Sequence, residues 1–290
     1  MDEREALAAI GQLLPDAGDD AAIVGDLVVT TDMLHERTDF PAGTTRYTAG
    51  WRAVGASLSD VAAMGAQAVA AVAVYAAPTF DREEVLDFVR GARDVCERVD
   101  ARYVGGDLDR HDEFTVAAFA LGRTEAPTRR STARPGDLVG VTGTLGRTGA
   151  ALRLFDRAEA ERANALFRFP PRVAAGRALG PHVSAMMDSS DGLARSLHQL
   201  AAASGCGFDI ESDRIPLDEA VLEVATSEAD AHELGLFTGE DFELVFTVDA
   251  EHLGDARAAS PVPLAVVGEV TDHGVTMDGS ALPDRGYTHE

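Results

Sequence analysis

Short apolar runs alternate with longer stretches of helical period along almost the whole chain, and this alternation restricts the fold more than any other feature. The order is AAIVGDLVVTTD, the helical TRYTAGWRAVGASLSDVAAMG, AVAAVAVYA, the helical FDREEVLDFVRGARDVCERVD, then RYVGGD and EFTVAAFALG. Strand-period and helix-period segments in alternation predict an α/β fold. Residues 124–137, TEAPTRRSTARPGD, are polar, carry two prolines and have no period, as expected of a connection between domains. A second series follows: LVGVTG, one helix over GAALRLFDRAEAERANAL, the unit SAMMDSSDGLARSLHQLA, then GEDFELVFTV and PLAVVGEV. Residues 205–235 are assigned no element. A chain of 290 residues, 46% of them hydrophobic, sits near the length at which one core divides into two. The expected units are residues 1–126, a linker at 127–136, and residues 137–290.

Charge narrows the partners. Asp and Glu number 49 against 25 basic residues, every one of them arginine, for a net charge of -24. Such a surface repels nucleic acid and anionic membrane. Its self-repulsion is relieved by salt, which screens charges beyond about 3 Å at 1 M, so a salt-loving source is expected. The acidic MDEREALAAIGQLL is unlike a signal peptide, and the longest apolar run, AVAAVAVYAA, is too short to span a bilayer; a cytoplasmic location follows as an expectation. Cys96 and Cys206 form neither a disulfide framework nor a thiolate zinc site, and both read as small buried apolar residues. The eight histidines show no metal-ligand spacing.

The acidic residues are more informative by position than by number. Asp19 and Asp20 precede AAIV, Asp32 ends VVTTD, Asp107 ends RYVGGD and Asp188 ends SAMMD. In α/β folds strand ends line ligand crevices. Asp60 lies late in a helical pattern, off the face formed by Val54, Leu58 and Val61. Carboxylates gathered in one crevice repel unless cations join them, and a set without histidine or cysteine suits magnesium. A turn or cap role stays open for each. Asp188 and Asp191 in particular precede a helix whose buried face is Leu193, Leu197, Leu200 and Ala201, so an N-cap reading stands beside the metal reading. In VTGTLGRTGA, residues 141–150, a tight strand-to-helix turn ranks ahead of a phosphate cradle.

The ordered set GDDAAIV (18–24), TTDMLHERTDF (30–40), SLSDVAAMGA (57–66), GGD (105–107), VTGTLGRTGA (141–150), DSSDGL (188–193) and GEDFELVF (239–246) closely resembles the thiamine-monophosphate kinase family. The resemblance implies a two-domain, aminoimidazole ribonucleotide synthetase-like α/β fold whose N-terminal sheets pair across a homodimer. It also implies ATP-dependent phosphorylation of thiamine monophosphate to thiamine diphosphate. Carried over residue by residue, it assigns Asp20, Thr30, Thr31, Asp32, Asp60, Asp107, Asp188 and Asp191 to several magnesium ions. Gly106, Asp107, Arg130 and Ser190 are expected at ATP, and Asp39, Glu240 and Tyr287 at thiamine monophosphate. Where the family often has an aromatic residue shortly before a Gly-Tyr pair, this chain has Asp284; Tyr287 then either stacks on the substrate or packs on the domain surface. No general base is expected, because the acceptor phosphate is already ionised. The chain lacks both lysine and GxxxxGK[ST], so aspartate-held magnesium would neutralise the phosphates that a P-loop neutralises directly. The competing readings are another ATP-using member of the superfamily, or a non-catalytic ATP-binding dimer.

Overall fold

The computed structural model describes residues 9–11, 13–14 and 17–287. Its elements form two sheets. The first has the order β1-β2-β5-β3-β4, built from β1 (Ala22–Val24), β2 (Leu27–His35), β3 (Gln67–Ala77), β4 (Arg102–Arg110) and β5 (Thr115–Arg123). The second has the order β12-β11-β8-β10-β6-β9-β7, built from β6 (Leu138–Thr142), β7 (Ala185–Asp188), β8 (Gly207–Ile210), β9 (Leu244–Val248), β10 (Leu264–Thr271), β11 (Val275–Met277) and β12 (Ser280–Ala281). This is the mixed α/β, two-sheet architecture that the alternation predicts.

Helix α1 (Arg46–Ala63) begins where the Thr45 side chain accepts from Thr48 N, and helix α2 (Arg82–Arg98) where Asp81 accepts from Glu83 N and Glu84 N. Both are N-caps of the kind these short polar side chains favour. The two helices cover one face of the first sheet, and glycine lets them cross closely. A Cβ on Gly50 would lie 2.1 Å from the Phe88 carbonyl oxygen, and one on Gly91 would lie 1.9 Å from that of Tyr47. Val54, Leu58 and Val61 are fully buried as expected, but so is most of the rest of α1. Truncating Leu58 to alanine would cost about 2–5 kcal/mol. The other face of the sheet is open: Val29, Met33 and Phe119 are all exposed on it.

One core cluster joins the halves, holding Val61, Ala62 and Met64 of the first with Leu179, Met186 and Phe246 of the second. Across the same junction Trp51 Nε1 donates to the Phe169 carbonyl at 2.7 Å. The single helix expected over residues 149–166 is two, Arg147–Asp156 and Ala160–Phe167, interrupted where Ala158 adopts a left-handed φ of 58°. The unassigned segment 205–235 contains β8 and two short helices, Glu219–Val224 and Glu228–Phe237. No described helix is long and apolar enough to cross a membrane.

Candidate active site

Asp20, Asp60 and Asp188 each bring a carboxylate oxygen within 4.8 Å of the others. They arrive from three directions: the approach to β1, the last turn of α1, and the end of β7. Thr30 and Asp32 share the inward face of β2; the Thr30 hydroxyl donates to Asp60 Oδ2, and Ser57 Oγ donates to Asp32 Oδ2 at 2.5 Å. Arg130 Nη2 pairs with Asp20 Oδ1 at 2.8 Å, while the neighbouring Asp19 accepts from Arg130 N and from Arg129. Burial raises the proton affinity of Asp20 and Asp32, and raises Asp60 and Asp188 well above the ordinary carboxylate range, where repulsion from neighbouring aspartates of the group adds to the rise of the last two. Oδ2 of Asp20 and Oδ2 of Asp188 are buried without a hydrogen-bond partner. Buried carboxylate oxygens normally find a partner, so orphaned anionic oxygens around a shared space are a donor set that fits a hard divalent cation.

Some of these residues sit at strand ends and others do not. Asp188 does end β7 and Asp20 does precede β1, but Asp32 and Asp107 lie within strands that run on to His35 and Arg110. The helix Leu193–Ser204 has Gly192 at its N-cap position and no side-chain cap, so neither Asp188 nor Asp191 serves as one. Asp191 instead accepts from Gln199 Nε2 through its side chain and from Tyr287 N through its carbonyl. The glycine-rich turn after β6 is occupied by protein. Asp241 Oδ2 accepts from Gly146 N at 2.5 Å and Asp241 Oδ1 from Thr148 N at 2.8 Å, so a carboxylate already fills this helix N-terminus.

Beside the cluster lies a cleft of about 260 Å³ whose walls include Asp39, Pro41, Phe167, Glu240 and Tyr287. Asp39 is fixed by His35 N at 2.7 Å and by the Thr38 hydroxyl at 2.8 Å, and Tyr287 OH donates to its Oδ1 at 3.3 Å. The three residues expected at the substrate are therefore together. Cleft and cluster share a backbone, since Glu240 N donates to the Ser190 carbonyl at 2.6 Å, one residue from Asp191 and two from Asp188. Arg52 escaped the sequence reading. It is 1% exposed and pairs with Glu240 Oε2 at 2.7 Å. A cation set between Trp51 and the apolar Ala53 and Val54 was the available signal.

Thr31, Gly106 and Asp107 do not join the cluster within one chain. Thr31 alternates with Thr30 and Asp32 and points to the open face of the sheet. Asp32, Ala118, Ala73 and Gly106 form one cross-strand row, which places Gly106 three strand spacings, roughly 14 Å, from Asp32. Asp107 is exposed on the edge strand. Asp284 lies apart from the cleft in a separate cavity and pairs with Arg195 at 3.1 Å, leaving Tyr287 as the aromatic residue of the C-terminal segment at the site.

The AIR synthase related protein family matches as an N-terminal domain over residues 18–124 and a C-terminal domain over residues 134–278. The chain is 62% identical to thiamine-monophosphate kinase of Halobacterium salinarum, over the full length of both. The structure of AaThiL complexed with AMPPCP and TMP superposes with a TM-score of 0.91 at 29% identity, covering 100% of this chain and 97% of that one. The hydrogenase maturation protein HypE in complex with ATP, at 18% identity and a TM-score of 0.73 over 93% of this chain and 88% of its own, shares the fold. An acidic cluster and an acidic cleft on one two-domain AIR synthase related scaffold, with full-length identity at this level, settle the kinship: the chain belongs to the thiamine-monophosphate kinase family.

Proposed function

We propose that this protein transfers the γ-phosphoryl group of ATP to thiamine monophosphate, releasing thiamine diphosphate and ADP, in the cytoplasm and as a homodimer. The observation that carries this reading is the joining of two acidic sites through one hydrogen-bonded loop pair, Ser190 to Glu240. One site suits cations and phosphates, and the other suits an organic cation such as a thiazolium ring. The acceptor phosphate is already an anion, so the chain needs no general base and charge neutralisation is its main task. Asp20, Thr30, Asp32, Asp60, Asp188 and Asp191 would hold magnesium, which when bound neutralises the charge of the reacting phosphates. Arg130, fixed by Asp20, supplies a planar cation for ATP with Ser190 near it. Asp39, Glu240 and Tyr287 hold and orient the thiamine rings.

The open apolar face of the first sheet supports the homodimer, because a monomer rarely leaves such a face uncovered. Sheet pairing would cover Thr31 and bring Gly106 and Asp107 of one subunit towards the cluster of the other, which would account for their distance from it in a single chain. Residues 1–126, 127–136 and 137–290 are the proposed N-terminal domain, linker and C-terminal domain. A salt-rich cell is the proposed source, supported by the charge of -24 and by the Halobacterium relative. The test is incubation with ATP, magnesium and thiamine monophosphate in molar KCl, followed by chromatography for thiamine diphosphate, with free thiamine in parallel. Product from the monophosphate and little from thiamine is expected. No product overturns the reading, and ATP consumption without thiamine diphosphate would favour another ATP-using enzyme of the superfamily.

A further inference from the structure

The loop 239–243 gives each of four consecutive side chains a different anchor. Asp241 closes the N-terminus of the helix Arg147–Asp156. Phe242 stacks on Phe169 with ring centroids 4.2 Å apart, and Glu243 accepts from Arg172 Nε and Thr142 Oγ1, both at 2.6 Å. Glu240 and Phe242 have φ values of 66° and 53°, a left-handed conformation that non-glycine residues adopt only when their surroundings impose it. The side chain of Glu240 is held from the other half of the molecule. Arg52 stacks over the Phe167 ring at 3.5 Å, donates through Nη1 to the Phe167 carbonyl at 2.6 Å and through Nη2 to Glu240 Oε2 at 2.7 Å. Phe167 and Glu240 line the cleft and Arg52 does not.

We infer that Arg52 is a positioning residue for the substrate cleft, acting through Glu240 to fix a carboxylate opposite Asp39 for a cationic ring. The inference rests on the functional reading above and adds the group that holds the carboxylate in place. A planar guanidinium stacked on one face and bonded at two nitrogens has a single orientation, which lysine cannot reproduce. Loss of Arg52 therefore weakens the grip on thiamine monophosphate and leaves the ATP phosphates, held elsewhere, unaffected.

The test measures KM for each substrate, turnover, and calorimetric binding of thiamine monophosphate without ATP, for Arg52→Met, Arg52→Lys, Glu240→Gln and the double variant Arg52→Met with Glu240→Gln. Arg52→Met should raise the KM for thiamine monophosphate and weaken its binding by about tenfold or more, the size expected for losing a charge-assisted hydrogen bond. The KM for ATP should hold, Arg52→Lys should be intermediate, and the double variant should be no worse than Glu240→Gln alone. Unchanged binding in Arg52→Met, a parallel rise in both KM values, or additive losses in the double variant would overturn the inference. Should Arg52→Met fail to fold, Arg52→Lys and Glu240→Gln decide: wild-type binding of thiamine monophosphate by Arg52→Lys overturns it. Absence of thiamine diphosphate from the unmodified protein defeats the functional reading, whereas an active protein indifferent to Arg52 defeats this inference alone.

Discussion

Replacing Asp60 by asparagine separates a metal-binding carboxylate from an ordinary acidic one, because losing a metal ligand lowers activity while raising metal-free stability, whereas losing an ordinary acidic group leaves activity near normal. Two carboxylates at the 4.8 Å limit of the Asp20, Asp60 and Asp188 group repel by about 3.5 kcal/mol at an effective dielectric constant of 20. Burial adds to that cost and, with the repulsion, lifts the proton affinity of Asp60 well above its ordinary value of 3.8. A carboxyl whose folded pKa is raised opposes folding increasingly as pH climbs from its unfolded value. Proton uptake caps the penalty at about 1.36 kcal/mol per pH unit, or roughly 4 kcal/mol between pH 3.8 and 7. The metal-free Asp60→Asn variant should therefore melt higher than the parent at pH 7, by about 2 °C or more, with the gap closing towards pH 4. Turnover at saturating magnesium and ATP should instead fall about 10²-fold or more, as when one electrostatic donor to a transition state is lost. Stopped or coupled turnover assays and metal-free calorimetric melting across pH give both numbers. Near-normal turnover would refute the reasoning, as would a metal-free melting temperature below that of the parent at pH 7.

Arg130→Ala should raise the ATP concentration needed for half-maximal rate about tenfold or more, and should lower the metal-free melting temperature by leaving Asp20 unpaired; steady-state titration with ATP and calorimetry check both. Asp241 is pushed up to about 7, chiefly by burial, so it withdraws stability as pH rises from about 4 to 7. Asp241→Asn should lose part of that slope, measured as the difference between the two denaturation midpoints across the same pH range. The melting temperature of the unmodified protein should climb between dilute buffer and molar KCl, since its charge of -24 is screened there, and a flat response would remove the salt-adapted reading.

The alternation of periods made both sheets legible, because short apolar runs such as AVAAVAVYA, bounded by polar turns, fit the central strands of a sheet. Boundaries were less legible where the chain changes direction against its local preference. Ala158 takes a left-handed φ of 58° in a stretch with unbroken helical period, since packing of the two resulting helices outweighs propensity. Asp32 and Asp107 looked like strand ends because a charge in a strand is costly. One strand runs on past Asp32 at a crevice and the other past Asp107 at an exposed edge, where charge is tolerated. The alternation of Thr30, Thr31 and Asp32 already placed Thr31 on the opposite face. The resemblance assigns all three to one ion set, whereas the period places the Thr31 side chain away from it. The role of Arg52 was not legible because its partners, Phe167 and Glu240, lie far along the chain, and burial of a cation depends on such partners.

The ion pair between Arg52 and Glu240 spans 188 positions of sequence and joins a helix on one sheet to a loop beside the other. Asp39 and Arg52 come from the first half, and Glu240 and Tyr287 from the second. Neither half is therefore a transferable module. A chimera exchanging partners at residues 124–137 between distant relatives would inherit a cleft assembled from two histories, and substitutions at positions 52 and 240 are expected to be coupled. If the cleft holds the substrate as proposed, a change of substrate would require paired substitutions across the junction.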